Sequence, residues 1–214
     1  DAGGYVYLAA SALKGTYWEP DLLLVKFDPL GNVVWSRTIN YTVDDIADGV
    51  AVDGSGGIFV LETTPNDDPA DVDNRIALLK FDSSGSLLWT KTYGSGPVSF
   101  FGFDLKVAGN NVYFCGAQVD PLFTALSGWV YKLDSNGTTL WSKSFNGGQN
   151  AYFRGLNVDG FGNVFAAGVV GTVDMMNGVV GDFVTVSYDS SGNLRWSPQP
   201  TYDSGSVDDI GRAV

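Results

Sequence analysis

Residues Lys26-Phe27-Asp28-Pro29-Leu30-Gly31-Asn32-Val33-Val34-Trp35 set a pattern that the chain uses four times. The second copy runs from Lys80-Phe81-Asp82 to Trp89, the third from Lys132-Leu133-Asp134 to Trp141, and the fourth from Ser187-Tyr188-Asp189 to Trp196. Successive tryptophans lie 54, 52 and 55 residues apart, and wrapping from Trp196 back to Trp35 gives 53. The period therefore closes on the length of 214 residues, a quarter of which is 53.5. Chance does not produce this phasing.

Around each copy the chain reads as four short strands. Gly57-Ile58-Phe59-Val60-Leu61 is followed by a loop, then Ile76-Ala77-Leu78-Leu79-Lys80-Phe81, then Leu87-Leu88-Trp89-Thr90-Lys91, and a longer loop reaches Asp104-Leu105-Lys106-Val107. The Asp-x-x-Gly step between the second and third strands has a mechanism. Its carboxylate accepts backbone N–H groups in the turn, and its glycine takes the positive φ that a hairpin requires. Short β-rich segments, frequent glycine turns and no helical periodicity predict an all-β chain. Four-stranded units at this period predict a four-bladed β-propeller of antiparallel blades, with repeats over about 1–52, 53–107, 108–158 and 159–214.

The seam between the ends fits the same plan. Asp208-Asp209-Ile210-Gly211-Arg212-Ala213-Val214, joined to Asp1-Ala2-Gly3-Gly4-Tyr5-Val6-Tyr7, parallels residues 45–52 running into 53–59. The strand at 207–214 is thus expected to pair with the N-terminal blade and close the ring, which hides the edges of an open sheet. The same arithmetic fits a slice of a longer tandem array cut at a repeat boundary.

Lys-Phe-Asp-x-x-Gly-x-x-x-Trp at 26–35 and 80–89, with Gly49-Val50-Ala51-Val52-Asp53, resembles the secreted bacterial and archaeal β-propeller repeat family. More distantly it is similar to the propellers that bind pyrroloquinoline quinone. The resemblance covers essentially the whole chain and implies the fold, while propellers host many activities. This sequence departs from the family in its smaller blade number and in Arg212, which stands where Val50, Leu105 and Leu156 are apolar. Few blades leave a narrow central channel, which argues against a large cofactor there.

Composition excludes whole classes of chemistry. With 44% hydrophobic and 17% charged residues the chain carries a sizeable core and is not disordered. A net charge of −12 opposes nucleic-acid binding, and no apolar run is long enough to span a bilayer as a helix. There is no histidine, which removes His-based triads, metal sites and general bases. Cys115, the single cysteine, reads as a small buried hydrophobe inside Val112-Tyr113-Phe114-Cys115.

Each remaining candidate has a structural reading beside the functional one. Trp35, Trp89, Trp141 and Trp196 are able to stack on a ligand, but their fixed place in every blade points to packing between blades. Asp28, Asp82, Asp134 and Asp189 are turn-capping residues. Asp67, Asp68, Asp71 and Asp73, with Asn74, form an oxygen-rich loop of the kind that suits Ca²⁺, although Pro69 interrupts it and no EF-hand spacing is present. Otherwise it is a solvated acidic loop, and no other cofactor is expected. Asp44, Asp45 and Asp48 recur in part as Asp208 and Asp209. Facing carboxylates there suit glycoside chemistry, a cation, or merely the solvated rim.

Loops carry the more suggestive signal. Tyr17, Trp18, Leu122, Phe123, Met175 and Met176 fall between the second and third strands of each blade, counted from the innermost, while Tyr41, Phe100, Phe101, Tyr152, Phe153 and Tyr202 fall between blades. Apolar residues on loop tips of one propeller face mark a contact surface. Asn40 and Asn136 head N-glycosylation sequons at about the chance frequency, and a start at Asp1 rather than Met fits a processed or trimmed chain. Two function classes follow. One is a non-catalytic extracellular or cell-surface propeller that self-associates, as a subunit of a surface or filamentous assembly, or binds other surface proteins or glycans. The alternative is a carboxylate-based carbohydrate-active enzyme or a cofactor-binding, quinoprotein-like propeller.

Overall fold

The computed structural model describes residues 1–13, 20–40, 45–65, 73–122, 124–174, 178–196 and 201–202. Their regular structure is all strand, so no helix among them is long and apolar enough to cross a membrane. The fold is a four-bladed β-propeller of antiparallel sheets. The first sheet is β1 (Val6–Leu13), β2 (Pro20–Phe27) and β3 (Val33–Ile39). The second is β4 (Ile46–Val52), β5 (Ile58–Pro65), β6 (Asn74–Phe81) and β7 (Leu87–Tyr93), in that order. The third is β8 (Ser99–Ala108), β9 (Asn111–Val119), β10 (Leu126–Asp134) and β11 (Thr139–Phe145). The fourth is β12 (Asn150–Val158), β13 (Val164–Asp174), β14 (Gly178–Tyr188) and the short β15 (Thr201–Tyr202). Each sheet after the first thus takes the last strand of one sequence repeat with the next three. The counterpart for the first sheet, expected at 207–214, lies outside the described residues.

The turns form as their residues dictate. Asp82 Oδ1 accepts the backbone N–H groups of Ser84 and Ser86, each at 2.9 Å, and Gly85 sits at φ 82°. Asp28, Asp134 and Asp189 do the same in their blades. These hydrogen bonds favour the carboxylate and hold Asp28, Asp82, Asp134 and Asp189 below the usual range. A second set at the preceding turn, Asp1, Asp53 and Asp159, is built alike.

The cores lie between sheets rather than within them. Alternate residues of a strand face opposite sides. Leu22 and Leu24 of the first blade meet Ile58, Val60, Ala77, Leu79 and Phe81 of the second. Phe59, Leu61, Ile76 and Leu78 meet Leu105, Val112, Phe114, Trp129 and Leu133 of the third. Tyr113, Cys115 and Val130 meet Phe153, Val164, Val184, Val186 and Tyr188 of the fourth. Trp35, Trp89 and Trp141 are half-buried and pack across these joints, whereas Trp196, expected to do the same, meets Phe165 of its own blade. A Cβ at Gly85 would lie 3.0 Å from the Trp35 ring, one at Gly137 3.0 Å from Trp89, and one at Gly192 3.0 Å from Trp141. Each indole therefore rests on the bare glycine of the next blade's turn. The lysine of the repeat adds a bond across the same joints: Lys80 Nζ donates to the Ser135 carbonyl at 3.0 Å and Lys132 Nζ to that of Ser190 at 2.8 Å.

Candidate functional site

The innermost strands β4, β8 and β12 each carry a bulge at the same height. The register shifts between Ala47 and Gly49, Gly102 and Asp104, and Phe153 and Gly155, leaving Asp48, Phe103 and Arg154 as the inserted residues. A bulge re-aims the side chain it adds, and bulges gather beside functional sites. One repeat position thus presents an acid, an aromatic and a base. Arg154 lies over Phe103 and Tyr152, its guanidinium carbon 4.9 and 5.2 Å from their ring centroids, in cation–π contact. The two rings are 6.2 Å apart.

The acid belongs to a buried carboxylate group. Thr63 Oγ1 donates to Asp48 Oδ2 at 2.6 Å and accepts the Gly102 N–H at 2.9 Å, tying the second blade to the third. A Cβ at Gly102 would stand 2.7 Å from that Asp48 oxygen, so a larger residue there would displace the carboxylate. Burial pushes Asp48 up to about 7 against its hydrogen bonds from Thr63. Glu62, opposite Ala47 in the ladder, is fully buried, and neither carboxylate oxygen has a hydrogen-bond partner among the described residues. Burial above all, then the nearby Asp45 and Asp48, pushes it up to about 8. Glu62 therefore holds its proton at neutral pH, and Asp48 is near the middle of its titration. In the third and fourth blades the Glu62 position is Gly116 and Gly168, opposite Gly102 and Phe153. A Cβ there would overlap the carbonyl oxygens of Phe101 and Tyr152. Glu62 is the exception in the repeat: an ionisable chain where its counterparts have none. The pair can store and release protons inside the fold. Among the described residues no three carboxylate or cysteine groups are arranged to hold a metal ion.

The structure revises the contact surface expected from the loops. Phe100, Tyr152 and Phe153 are buried, not displayed. Strands β8 and β12 begin at Ser99 and Asn150, so these side chains lie within the sheets; Phe100 packs at 6.2 Å on Trp129 and Phe153 at 5.8 Å on Phe145. Phe101 is half-buried, while Leu122 is 75% exposed and Tyr202 is exposed. Tyr17, Trp18, Tyr41, Phe123, Met175 and Met176 lie outside the described residues, as do Asp44, Asp67, Asp68, Asp71, Asp208 and Asp209. Asp73 is described and accepts a hydrogen bond from Ser99 Oγ at 3.3 Å. Asn136 is exposed in its turn, whereas Asn40 donates through Nδ2 to the buried Asp21 at 2.9 Å. Cys115 is fully buried and its thiol is pushed well up by that burial. Sequence reasoning passed over Glu62, Thr63 and Arg154. A position-by-position comparison of the copies finds Glu62, whose column is otherwise Ala10, Gly116 and Gly168.

No known family profile matches the sequence, and no curated protein matches it. Solved structures do. The WD40 domain of Neurospora crassa Pan2 aligns with TM-score 0.54 and 12% identity, over 85% of this chain and 49% of that one. A protein of unknown function from Bacteroides caccae aligns with TM-score 0.50 and 13% identity, over 88% of this chain and 56% of the other. A GH32 β-fructofuranosidase of Bombyx mori reaches TM-score 0.47 at 12% identity, over 94% of this chain and 47% of that one. The chain spans about half the length of these solved chains, and at such identities the likeness is one of fold.

Proposed function

We propose that the chain is a non-catalytic propeller module that self-associates, as a subunit of a surface or filamentous assembly outside the cell. What carries this reading is a phased row of apolar side chains on the outer strands. In β3, β7 and β11 the register shifts opposite the repeat lysine, and the inserted residues are Val34, Leu88 and Leu140. All three are exposed, beside exposed Val33 and Leu87, with Leu194 exposed in the fourth repeat. A bulge on an edge strand ordinarily protects the edge by twisting it away or by showing charge. Here it shows aliphatic groups at the same point on successive blades, which favours lateral contact with another surface. The net charge of −12 opposes close approach, so the contact must remove enough apolar area from water to offset repulsion. The test is Val34→Lys with Leu88→Lys and Leu140→Lys, followed by light scattering and electron microscopy. Wild type should form oligomers or filaments with rising concentration, and the triple variant should not, at unchanged circular dichroism. A wild type that stays monomeric in concentrated solution, or a variant that assembles equally, would end this reading.

One observation favours a catalytic alternative. Glu62 and Asp48 form a pair with raised pKa values, the property asked of a proton donor in carboxylate-based glycoside cleavage. Against it, Glu62 is fully buried, so a sugar reaches it only through movement of the inner strands. Turnover of chromogenic glycosides by wild type, abolished in Glu62→Gln, is the result that would favour it.

A further inference from the structure

The joint between the third and fourth blades opens, at its tight-turn end, into a cleft of about 350 Å³, a size that suits a small ligand. On one wall Lys132 is 9% exposed, its Nζ 5.5 Å from the centre of the Tyr113 ring and 2.8 Å from the Ser190 carbonyl. An ammonium carries three donors, and that carbonyl is the one hydrogen-bond acceptor of Lys132 among the described residues. On the other wall the turn Asp159-Gly160-Phe161-Gly162-Asn163 holds Phe161 out, 87% exposed. Asp159 accepts the backbone N–H groups of Phe161 and Asn163 and the Asn163 side-chain amide, which leaves room at its carboxylate for a further donor. The corresponding cleft between the second and third blades, of about 490 Å³, has the same frame: Lys80 Nζ lies 4.8 Å from the centre of the Phe59 ring and donates to Ser135. The two clefts differ in three places. Phe59 lacks the hydroxyl of Tyr113, Gly57 lacks the side chain of Asn111, and the facing turn of the third blade is only Gly109-Asn110, with no counterpart of Phe161. The shared frame joins the blades, and the three additions are not needed for that.

We propose that the cleft between the third and fourth blades binds one pyranose ring of a neutral polysaccharide, with Phe161 as the surface on which the sugar stacks. A pyranose has an apolar face of C–H groups and a rim of hydroxyls, so it needs an aromatic surface beside a few donors and acceptors. Phe161 supplies the surface. Its ring serves no purpose in the turn, because Gly3 and Ser55 donate the same N–H to the turn aspartate in the first and second blades. Lys132 has donors left for a sugar oxygen, Asp159 has acceptor capacity left for a hydroxyl proton, and the Asn111 amide offers both. Hydrogen bonds from Asn163 hold Asp159 below the usual carboxylate range, and the chain carries a net charge of −12. Both repel an acidic sugar or a phosphate, which leaves a neutral ring as the better fit. The proposal uses none of the outer-strand residues and is independent of the self-association reading.

Saturation-transfer NMR of the full chain with cellotetraose, chitotetraose, mannotetraose and maltotetraose tests this, and at least one of the four should receive transfer. For that sugar, Phe161→Ala should raise Kd by about three- to tenfold at an unchanged melting midpoint, since the ring is exposed. Tyr113→Phe, which copies Phe59 of the neighbouring cleft and so keeps the packing, should also raise it, as should Lys132→Met. Lys80→Met in the neighbouring cleft, and the outer-strand triple variant, should leave Kd as in wild type. No transfer to any of the four sugars overturns the proposal, whatever the state of assembly. Binding that survives both Phe161→Ala and Tyr113→Phe, or that falls equally in Lys80→Met, overturns the site.

Discussion

Glu62 ties the stability of the fold to pH in a direction opposite to most carboxylates. In the unfolded chain it titrates near its ordinary 4.5, and in the fold it is pushed up to about 8. Between these values the folded chain binds more protons than the unfolded one, so stability falls as pH rises. The contribution is fully present below about 4.5 and is lost as pH climbs through about 8. A gap of about 3.5 units, at about 1.36 kcal/mol each, sets a ceiling near ~5 kcal/mol. Each kcal/mol moves the unfolding midpoint of a chain this long by about 2–4 °C, so Glu62 should lower Tm by about 10–20 °C between acid and alkaline solution. Glu62→Gln keeps the shape and removes the ionisation. Thermal melts of both proteins, followed by circular dichroism from about pH 4.5 to about pH 8.5, isolate the residue as the difference between two slopes. Asp48, pushed up to about 7 by burial, leaves a residual fall in both curves. Parallel curves for wild type and Glu62→Gln would refute the reasoning, because Glu62 would then ionise without cost in the fold.

Trp35→Ala, Trp89→Ala and Trp141→Ala should each destabilise by about 2–3 kcal/mol, below the 3–5 of fully buried rings, since these indoles are half-buried on the next blade's glycine. Trp196→Ala, whose ring lies 5.8 Å from Phe165 of its own blade, completes the series, and urea midpoints rank the four. Trp129→Ala should lose about 3–5 kcal/mol, because that ring is buried among Phe100, Phe114 and Tyr131, and a midpoint near wild type would contradict this packing. Gly116→Ala and Gly168→Ala should each cost roughly 2 kcal/mol or more in thermal melts, because the added methyl overlaps a carbonyl oxygen on the neighbouring inner strand.

The sequence was most legible where one physical demand recurs in every blade. Turn chemistry imposes the Asp-x-x-Gly step at each copy, and packing on the next blade's glycine imposes Trp35, Trp89 and Trp141, whereas Trp196 lies on Phe165 of its own blade. Phe100 and Phe153 were misread for a related reason. Each lies beside glycines or polar residues that resemble a loop, yet a bulged strand extends through them and turns them inward. Periodicity does not reveal a bulge, since the inserted residue shifts the alternation by one. The carboxylate site is half legible: Asp44, Asp45 and Asp48 stand out by their partial recurrence at Asp208 and Asp209, but Glu62 sits inside an apolar run, where a lone acid looks like an exposed strand position. Only the register opposite Ala47 shows that its side chain is enclosed.

A repeat fold sharpens the question of what each departure is for. Three blades hold their neighbours with the same cores, so residues common to the copies account for the joints. Any property that belongs to one side of the molecule must come from columns where the copies differ. Among the bulges of the inner strands the difference is one of charge: Asp48 on the second blade, Phe103 on the third, Arg154 on the fourth. The acid is half-buried near Glu62, which burial pushes up to about 8, and Arg154 is exposed over two rings. Near pH 7 Asp48, pushed up to about 7 by burial, is close to its titration midpoint. The inner strand of the second blade therefore gains negative charge as pH rises through that point. Asp48→Asn should remove that change and flatten the part of the stability curve that falls near pH 7, because the group whose proton the fold retains is gone. Thermal melts of the two proteins across that range measure it, and parallel curves would mean that Asp48 ionises in the fold as it does in the unfolded chain.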